Sequence, residues 1–123
     1  METTTYLETL IANYHPSARA VDIVNNTTLV LIAGVAGAGK DTIKQRLLKT
    51  GQFYHLVSHT TRAPRLNNGQ PEIDGQDYHF ISLDQAQQML EQQEFIEAKL
   101  VHGRVYGTSL AEIERALANH KLP

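Results

Sequence analysis

The sequence contains no cysteine among its 123 residues, so it can form neither a disulfide framework nor a thiolate metal site. It has no apolar run that approaches the roughly 18 residues needed to span a bilayer. It also lacks a strong charge of either sign. The formal net charge is −2, which gives no electrostatic reason to expect broad binding to nucleic acid or to a membrane surface. Acidic Glu2 and Glu8, with no basic run before an apolar stretch, are unlike a signal peptide, and we expect a cytoplasmic protein.

The first 27 residues predict a helix followed by a linker. Residues 3–15 place five apolar side chains on one helical face, namely Tyr6, Leu7, Leu10, Ile11 and Tyr14. Pro16 is expected to end this helix, and the segment up to "NNTT" at 25–28 indicates a linker.

From residue 28 onwards the pattern alternates between strands and helices. The run "LVLIAG" (29–34) predicts a buried parallel strand, and "FYHLVS" (53–58) predicts a second strand. A helix between them is expected to turn Ile43, Leu47 and Leu48 inward and to end near Gly51. Such alternation predicts an α/β fold.

Two serines downstream have the spacing of helix caps, and a polar stretch precedes them. Ser82 with Gln85, and Ser109 with Glu112, match the capping-box pattern. Residues 60–77 form a long polar segment, which indicates a functional or mobile loop. "FIEAKLVHGRVYGTS" (95–109) predicts extended segments joined by turns.

The stretch "GVAGAGKDT" (34–42) has the glycines and the lysine of a phosphate-binding loop. Gly34, Gly39 and Lys40 satisfy G-x-x-x-x-G-K between a predicted strand and a predicted helix. Glycines allow backbone N–H groups to surround phosphate oxygens at a helix N-terminus, and the lysine adds a positive charge. The alternative is a glycine-rich turn with an ordinary lysine. The predicted nucleotide-phosphate site comprises Gly34, Val35, Ala36, Gly37, Ala38, Gly39, Lys40, Asp41 and Thr42.

Asp41 departs from the usual pattern, in which a serine or threonine hydroxyl holds Mg²⁺. A carboxylate is also an oxygen ligand that suits Mg²⁺. We therefore predict a metal role for Asp41, directly or through water. The alternative is that it serves only as a favourable negative charge in the first turn of a helix.

Four blocks in the order of a known family follow: this loop, "VSHTTRAPR", "EIDGQDYHF" and "FIEAKLVHGRVYGTS". Together they resemble guanylate kinase, from about residue 29 to residue 117. The resemblance implies a P-loop NTPase parallel-sheet core within residues 28–123, carrying a small inserted GMP-binding lobe at about 59–108. It also implies transfer of the γ-phosphoryl group of ATP to GMP, with ATP bound at the glycine-rich loop and Mg²⁺ bound with the ATP.

The resemblance assigns roles to residues of the acceptor site. Glu97 corresponds to the carboxylate that accepts from guanine N1–H and N2, Ser58 to the hydroxyl near O6, and Thr108 to a further hydroxyl at the base. Glu72 matches an acidic position in the same lobe. Taken singly, each of these residues also suits an ordinary structural role, whereas their combined register favours the functional one.

The phosphate of GMP is assigned to arginines and tyrosines. Arg62 and Arg65 are expected to supply forked donors to its oxygens, and Tyr78 and Tyr106 match the family's two phosphate-contacting tyrosines. Lys40, Arg62 and Arg65 are the predicted catalytic residues.

Three departures from the family and two rival functions remain open at this stage. Six residues, "LNNGQP", separate Arg65 from Glu72 where the family usually has about two, and residues 1–27 have no assigned counterpart. The sequence stops at "NHKLP", before the family's acidic strand and lid arginines, so we expect a fragment that lacks the C-terminal part of the fold. The rivals are a non-catalytic guanylate-kinase-like module that binds peptides, and another P-loop small-molecule kinase such as ribose bisphosphate phosphokinase.

Overall fold

The computed structural model describes residues 3–34, 37 and 39–123. The helices are α1 (Thr3–Ala12), α2 (Ala18–Asn25), α3 (Lys40–Lys49), α4 (Leu83–Glu91) and α5 (Leu110–Ala118). The strands are β1 (His59–Thr60), β2 (Leu66–Asn67), β3 (Gln70–Pro71), β4 (His79–Phe80), β5 (Phe95–Val101) and β6 (Arg104–Ser109). In this part of the chain, no helix is both long enough and apolar enough to cross a membrane.

A mixed sheet in the order β4-β1-β6-β5 forms the centre of the described structure. Strands β5 and β6 are antiparallel, β1 is antiparallel to β6, and β4 is parallel to β1. The β5–β6 turn is made by His102 and Gly103, whose φ angles of 50° and 74° are both positive, as two-residue hairpin turns require. The predicted extended segments over 95–109 are therefore confirmed as a hairpin.

The two faces of this hairpin have different surroundings because side chains alternate along a strand. Val105 points into the core, whereas Glu97 and Thr108 lie opposite each other on the other face. Phe95 also points into the core, because the pairing register shifts between Phe95 and Glu97. The core consists of buried Leu7, Ala86, Leu90, Phe95 and Val105, with partly buried side chains around it. Helices α1 and α4 cover this core, so the predicted apolar face of the first helix is confirmed, although α1 ends at Ala12 rather than near Pro16.

The α/β class is confirmed, but two predicted strands are not formed. Residues 29–34, all of which the structure describes, contain no strand, and Leu31 is 87% exposed. In 53–58 only Phe53 makes a bridge, a parallel one with Leu122. A strand needs a hydrogen-bonded neighbour along its length. In the run 29–34, the Val30 N–H donates to the Pro123 carbonyl at 3.2 Å, but neither residue belongs to a strand. The described sheet therefore belongs to the predicted lobe, not to a parallel core.

Two predictions about helices were wrong. The predicted linker contains α2, which begins after Ser17, whose side chain accepts from the Ala20 N–H at 3.1 Å. In α3 the predicted inward residue Ile43 is 51% exposed, and no residue of α3 is buried. Since the run at 29–34 forms no strand, α3 has no described sheet to pack against.

The two predicted capping boxes had different outcomes. At α4, the Ser82 hydroxyl accepts from the Gln85 N–H at 3.1 Å and the Gln85 side chain accepts from the Ser82 N–H at 2.8 Å, so the box is confirmed. At α5, Ser109 makes no side-chain cap, and Glu112 is buried instead of reaching back to Ser109. Residues 66–71, the predicted insertion, form the exposed hairpin β2–β3.

Candidate functional site

Three side chains predicted for guanine lie together on the open face of the hairpin. Glu97 and Thr108 are partners in the β5–β6 register, and the Thr108 hydroxyl donates to Glu97 Oε1 at 2.9 Å. The Ser58 and Thr108 hydroxyl oxygens are 3.5 Å apart. A carboxylate and two hydroxyls therefore face the same space, which is a set of groups able to bind a ligand that carries both donors and acceptors.

Arg62 is held by an acidic partner within the same lobe. Its guanidinium donates to both carboxylate oxygens of Glu72, at 2.8 and 3.1 Å, and its side chain is only 6% exposed. Glu72 Oε1 also accepts from the Arg65 N–H at 2.8 Å. The hydrogen bond to Glu72 raises the pKa of Arg62 above its usual value, and the bond from Arg62 lowers the pKa of Glu72. Glu72 thus contacts the two predicted phosphate-binding arginines.

Two tyrosines complete the arginine cluster. The guanidinium carbon of Arg62 lies 5.2 Å from the centre of the Tyr78 ring, and the Tyr78 and Tyr106 rings meet edge to face with centroids 6.1 Å apart. Both tyrosines are half-buried. The Arg65 side chain is exposed and makes no ion pair among the described residues. The structure therefore brings Arg62, Tyr78 and Tyr106 together and leaves the guanidinium of Arg65 outside this cluster.

The two clusters share one face of β6. Tyr106 and Thr108 are two residues apart, so they project to the same side, about 7 Å from each other along the strand. A cleft of about 680 Å³ adjoins the carboxylate cluster, and Ser58, Glu97 and Thr108 line it together with Lys44 of α3. The helix that follows the glycine-rich loop thus borders the same cleft as the predicted guanine contacts.

The glycine-rich loop is described only in part. Val35, Ala36 and Ala38, which belong to the predicted nucleotide-phosphate site, lie outside the described residues. Gly37 and Gly39 have φ angles of 81° and 90°, which residues other than glycine rarely adopt. Gly39 is the N-cap of α3, and Lys40 is its first residue. The N–H groups of the first turn of α3 therefore face the end of the loop, as an anion site requires.

Asp41 lies in the first turn of α3, and its side chain is 98% exposed. Its carboxylate is 3.9 Å from Lys44 Nζ. Among the described residues, no group of three or more histidine or acidic side chains could hold a metal ion. Mg²⁺ usually keeps several waters and takes one or two carboxylates plus substrate phosphates. A single exposed carboxylate at the end of the glycine-rich loop fits that mode of binding.

Comparison with known proteins places the chain in a family. The family model for guanylate kinase matches residues 25–122. The chain belongs to the guanylate kinase family. The guanylate kinase of Thiobacillus denitrificans is 43% identical over 90 residues, which are 72% of this chain and 41% of that protein. The guanylate kinase of Escherichia coli is 40% identical over 94 residues, or 74% of this chain and 44% of that protein.

The chain therefore spans less than half the length of the curated guanylate kinases that it matches. A crystal structure of guanylate kinase from Anaplasma phagocytophilum is similar with a TM-score of 0.49 and 29% identity, over 65% of this chain and 39% of that one.

One buried network was not found by sequence reasoning. The Glu112 carboxylate, 2% exposed, contacts His79 Nε2 at 2.7 Å and accepts from the Val57 N–H at 3.3 Å. The spacing of Ser109 and Glu112 matches a capping box, which predicts an exposed glutamate that bonds to its own helix. That spacing therefore gave no reason to expect Glu112 in a buried network. A possible signal was the apolar face of α5, since Glu112 is adjacent in sequence to buried Ile113.

Proposed function

We propose that the chain carries the GMP-binding part of a guanylate kinase, which transfers the γ-phosphoryl group of ATP to GMP and yields ADP and GDP. The observation that carries this proposal is the common face of β6, where the Ser58–Thr108–Glu97 cluster adjoins the arginine–tyrosine cluster. A nucleoside monophosphate needs two such regions side by side, one for its base and one for its phosphate.

The carboxylate cluster suits guanine better than adenine. Guanine presents two adjacent donors, N1–H and the N2 amino group, and a carboxylate can accept from both. The hydroxyl of Ser58 can donate to guanine O6. Adenine has no N1 donor and no O6 acceptor, so Glu97 would lose its hydrogen bonds on closure over that base.

The arginine cluster suits a phosphate monoester. The Arg62 guanidinium is held by Glu72 and lies beside the Tyr78 ring, which contacts Tyr106, so three side chains that can donate to phosphate oxygens come together. Arg65 supplies an exposed second guanidinium close in sequence. We propose that Glu72 acts on the phosphate indirectly, by orienting Arg62, rather than as a direct ligand of GMP.

The chemistry requires positioning and charge neutralisation rather than a general base. A phosphate oxygen of GMP is already anionic and can attack the γ-phosphorus of ATP directly. Lys40 at the start of α3, with Arg62 and Arg65, would neutralise charge on the phosphoryl oxygens. Asp41 would hold Mg²⁺ with the ATP phosphates, and that ion supplies further charge neutralisation on those oxygens.

The test is calorimetric titration of the chain with GMP and with AMP, followed by an assay of GMP-dependent ADP release from ATP and Mg²⁺. We expect GMP to bind and AMP not to bind. Binding without turnover would support the acceptor site in this chain and leave the transfer step to residues outside it. Absence of GMP binding would contradict the proposal and favour a peptide-binding module.

The variant Glu97→Gln tests the assignment of the base. It keeps the shape of the side chain but replaces one acceptor oxygen by a donor. Hydrogen bonds to a charged group contribute about 1.5–3 kcal/mol, so we expect GMP to bind roughly 10- to 100-fold more weakly. The matched control is Glu94→Gln, which changes an exposed carboxylate just before β5 and should leave the Kd for GMP unchanged. Equal affinities for the two variants would contradict the role of Glu97.

A further inference from the structure

Glu112 is a fully buried carboxylate that borders a different cleft from the one lined by Ser58, Glu97 and Thr108. Its side chain is 2% exposed, and its residue belongs to helix α5. Carboxylates are seldom buried unless their oxygens are paired, because removing the charge from water is costly. The three partners of Glu112 therefore explain why the residue is tolerated there, and they connect three separate segments of the chain.

The partners are one backbone N–H group and the side chains of a histidine and an arginine. Glu112 Oε1 accepts from the Val57 N–H at 3.3 Å and lies 2.7 Å from His79 Nε2. Glu112 Oε2 accepts from Arg115 at 3.3 Å. Arg115 is largely exposed, whereas Val57 is buried. The contacts that leave α5 are thus those to Val57 and His79.

Each of these two residues is the immediate neighbour of a proposed GMP contact. Val57 precedes Ser58, which faces the guanine region, and His79 follows Tyr78, which faces the phosphate region. The two segments are also joined directly, since the His79 N–H donates to the Ser58 carbonyl at 2.8 Å. Glu112 therefore contacts each segment one residue away from a proposed GMP contact, through the backbone N–H of Val57 beside Ser58 and through the side chain of His79 beside Tyr78.

The local structure of α5 supports a function for this arrangement beyond the helix itself. Glu112 stands where a capping box would let it accept from the Ser109 N–H, yet it turns inward and Ser109 makes no side-chain cap. The Ser109 hydroxyl is buried without a partner among the described residues. Glu112 therefore makes long-range contacts with Val57 and His79 in place of the local capping box. Such departures from local sequence preference are expected near functional sites.

We propose that Glu112 is a positioning residue for the GMP site, which sets the backbone of Val57–Ser58 relative to that of Tyr78–His79. The inference rests on the proposed function, because the roles of Ser58 and Tyr78 do so. Glu112 touches no substrate, and its effect on GMP is transmitted through Val57 and His79.

The experiment uses Glu112→Ala and the isosteric Glu112→Gln, with Glu114→Gln as the matched control. Glu114 lies on the same helix and pairs with Arg19 at 2.6 Å on the surface. The measurements are the Kd for GMP at a temperature where each variant is fully folded, and amide hydrogen exchange of Val57, Ser58 and His79. Glu112→Gln keeps an acceptor for the Val57 N–H. It therefore allows the test to be made even if Glu112→Ala does not fold.

We expect the Glu112 variants to bind GMP about tenfold more weakly, in the range of coupling energies between contacting residues. We also expect faster exchange that is confined to residues 57–58 and 79. Wild-type Kd together with a uniform increase in exchange over the whole chain would show a purely structural role and overturn the proposal.

The experiment distinguishes a failure of the proposed function from a failure of the proposed positioning role of Glu112. If the unsubstituted chain does not bind GMP, the proposed function is wrong, and the exchange measurement alone then decides the role of Glu112. Local loss of protection at Val57, Ser58 and His79 in the Glu112 variants, and not in Glu114→Gln, would still support positioning. Unchanged protection at these three amides would overturn it.

Discussion

At the scale of single residues, the ion pair between Arg62 and Glu72 is a contact that the sequence did not predict. Glu72 was predicted as part of the GMP-binding site, and its two oxygens accept from the guanidinium of Arg62. An arginine that is 6% exposed requires such a partner, because an unpaired buried charge is costly. The sequence contains both residues but does not show that the loop between them folds back to join them.

The variant Glu72→Gln should weaken the dependence of stability on acidic pH. The bond from Arg62 holds the folded pKa of Glu72 below the ordinary value of a glutamate. A depressed pKa stabilises the folded state above the unfolded pKa, and this contribution is lost as the pH falls through the folded value. We expect the free energy of unfolding to fall less steeply below pH ~4.5 in this variant.

The measurement is urea unfolding at a series of pH values from neutral to acidic. Glu94→Gln, at an exposed position, is the control and should keep the wild-type slope. If the free energy of unfolding changed equally with pH in Glu72→Gln and in the wild type, the charge of Glu72 would not stabilise the folded chain through Arg62. At neutral pH the Glu72 variant should also be less stable, since Arg62 stays buried.

At the scale of elements, the hairpin β5–β6 depends on a glycine at position 107. A Cβ atom added there would lie 2.7 Å from Phe95 Cδ1 and 3.0 Å from the Glu97 carbonyl oxygen. Phe95 is fully buried, so its ring cannot move into solvent. The absence of a side chain at 107 is therefore what allows Phe95 to pack across the strand pair.

We predict that Gly107→Ala destabilises the chain by about 1–3 kcal/mol, the usual cost of overpacking a core. Thermal or urea unfolding measures the change. The second variant Phe95→Leu removes the ring atoms that clash, so the double variant should lose less stability than the sum of the two single variants. Strict additivity would show that the clash with Phe95 is not the cause.

The two serines with capping-box spacing provide a matched pair for the helices. The Ser82 hydroxyl caps α4, whereas the buried Ser109 hydroxyl makes no cap at α5. We predict that Ser82→Ala costs about 1 kcal/mol. Ser109→Ala should be neutral or slightly stabilising, because it removes a buried hydroxyl that has no partner among the described residues. Urea unfolding of both variants tests this, and equal losses would contradict the assignment.

At the scale of the whole molecule, the N-terminal segment is part of the folded core. Leu7 of α1 is 2% exposed and belongs to the same cluster as Leu90 and Phe95. The Tyr14 hydroxyl donates to the Phe95 carbonyl and accepts from the Phe95 N–H at 3.0 Å. Residues 1–27 were predicted as a separate helix and linker. Leu7 and Tyr14 of this segment contact the core that Phe95 of β5 also forms.

Leu7→Ala and Leu31→Ala compare two leucines with opposite surroundings. Truncation of a buried leucine costs about 2–5 kcal/mol, so we expect Leu7→Ala to lower stability by that amount. Leu31 is 87% exposed, and its truncation should change stability by no more than about 0.5 kcal/mol. The measurement is chemical unfolding of both variants. A loss of several kcal/mol at Leu31 would show that the run 29–34 is buried.

The sequence by itself determined the features that depend on local patterns. The pattern along 95–109 predicted extended segments joined by turns, and the spacing of Ser82 and Gln85 predicted the cap of α4. The order of its motif blocks predicted the guanylate kinase family. The extended segments, the cap and each single motif block are readable because each depends on residues that are a few positions apart.

Only the tertiary structure decided which side chains are buried and paired. An apolar run such as 29–34 becomes a strand only if another strand bonds to it, and the described part of the chain supplies none. The inward turn of Glu112 and the pairing of Arg62 with Glu72 also depend on segments brought together by folding. The physical reason is the same in each case. Burial and charge pairing are properties of neighbours in space, and a local pattern contains no record of those neighbours.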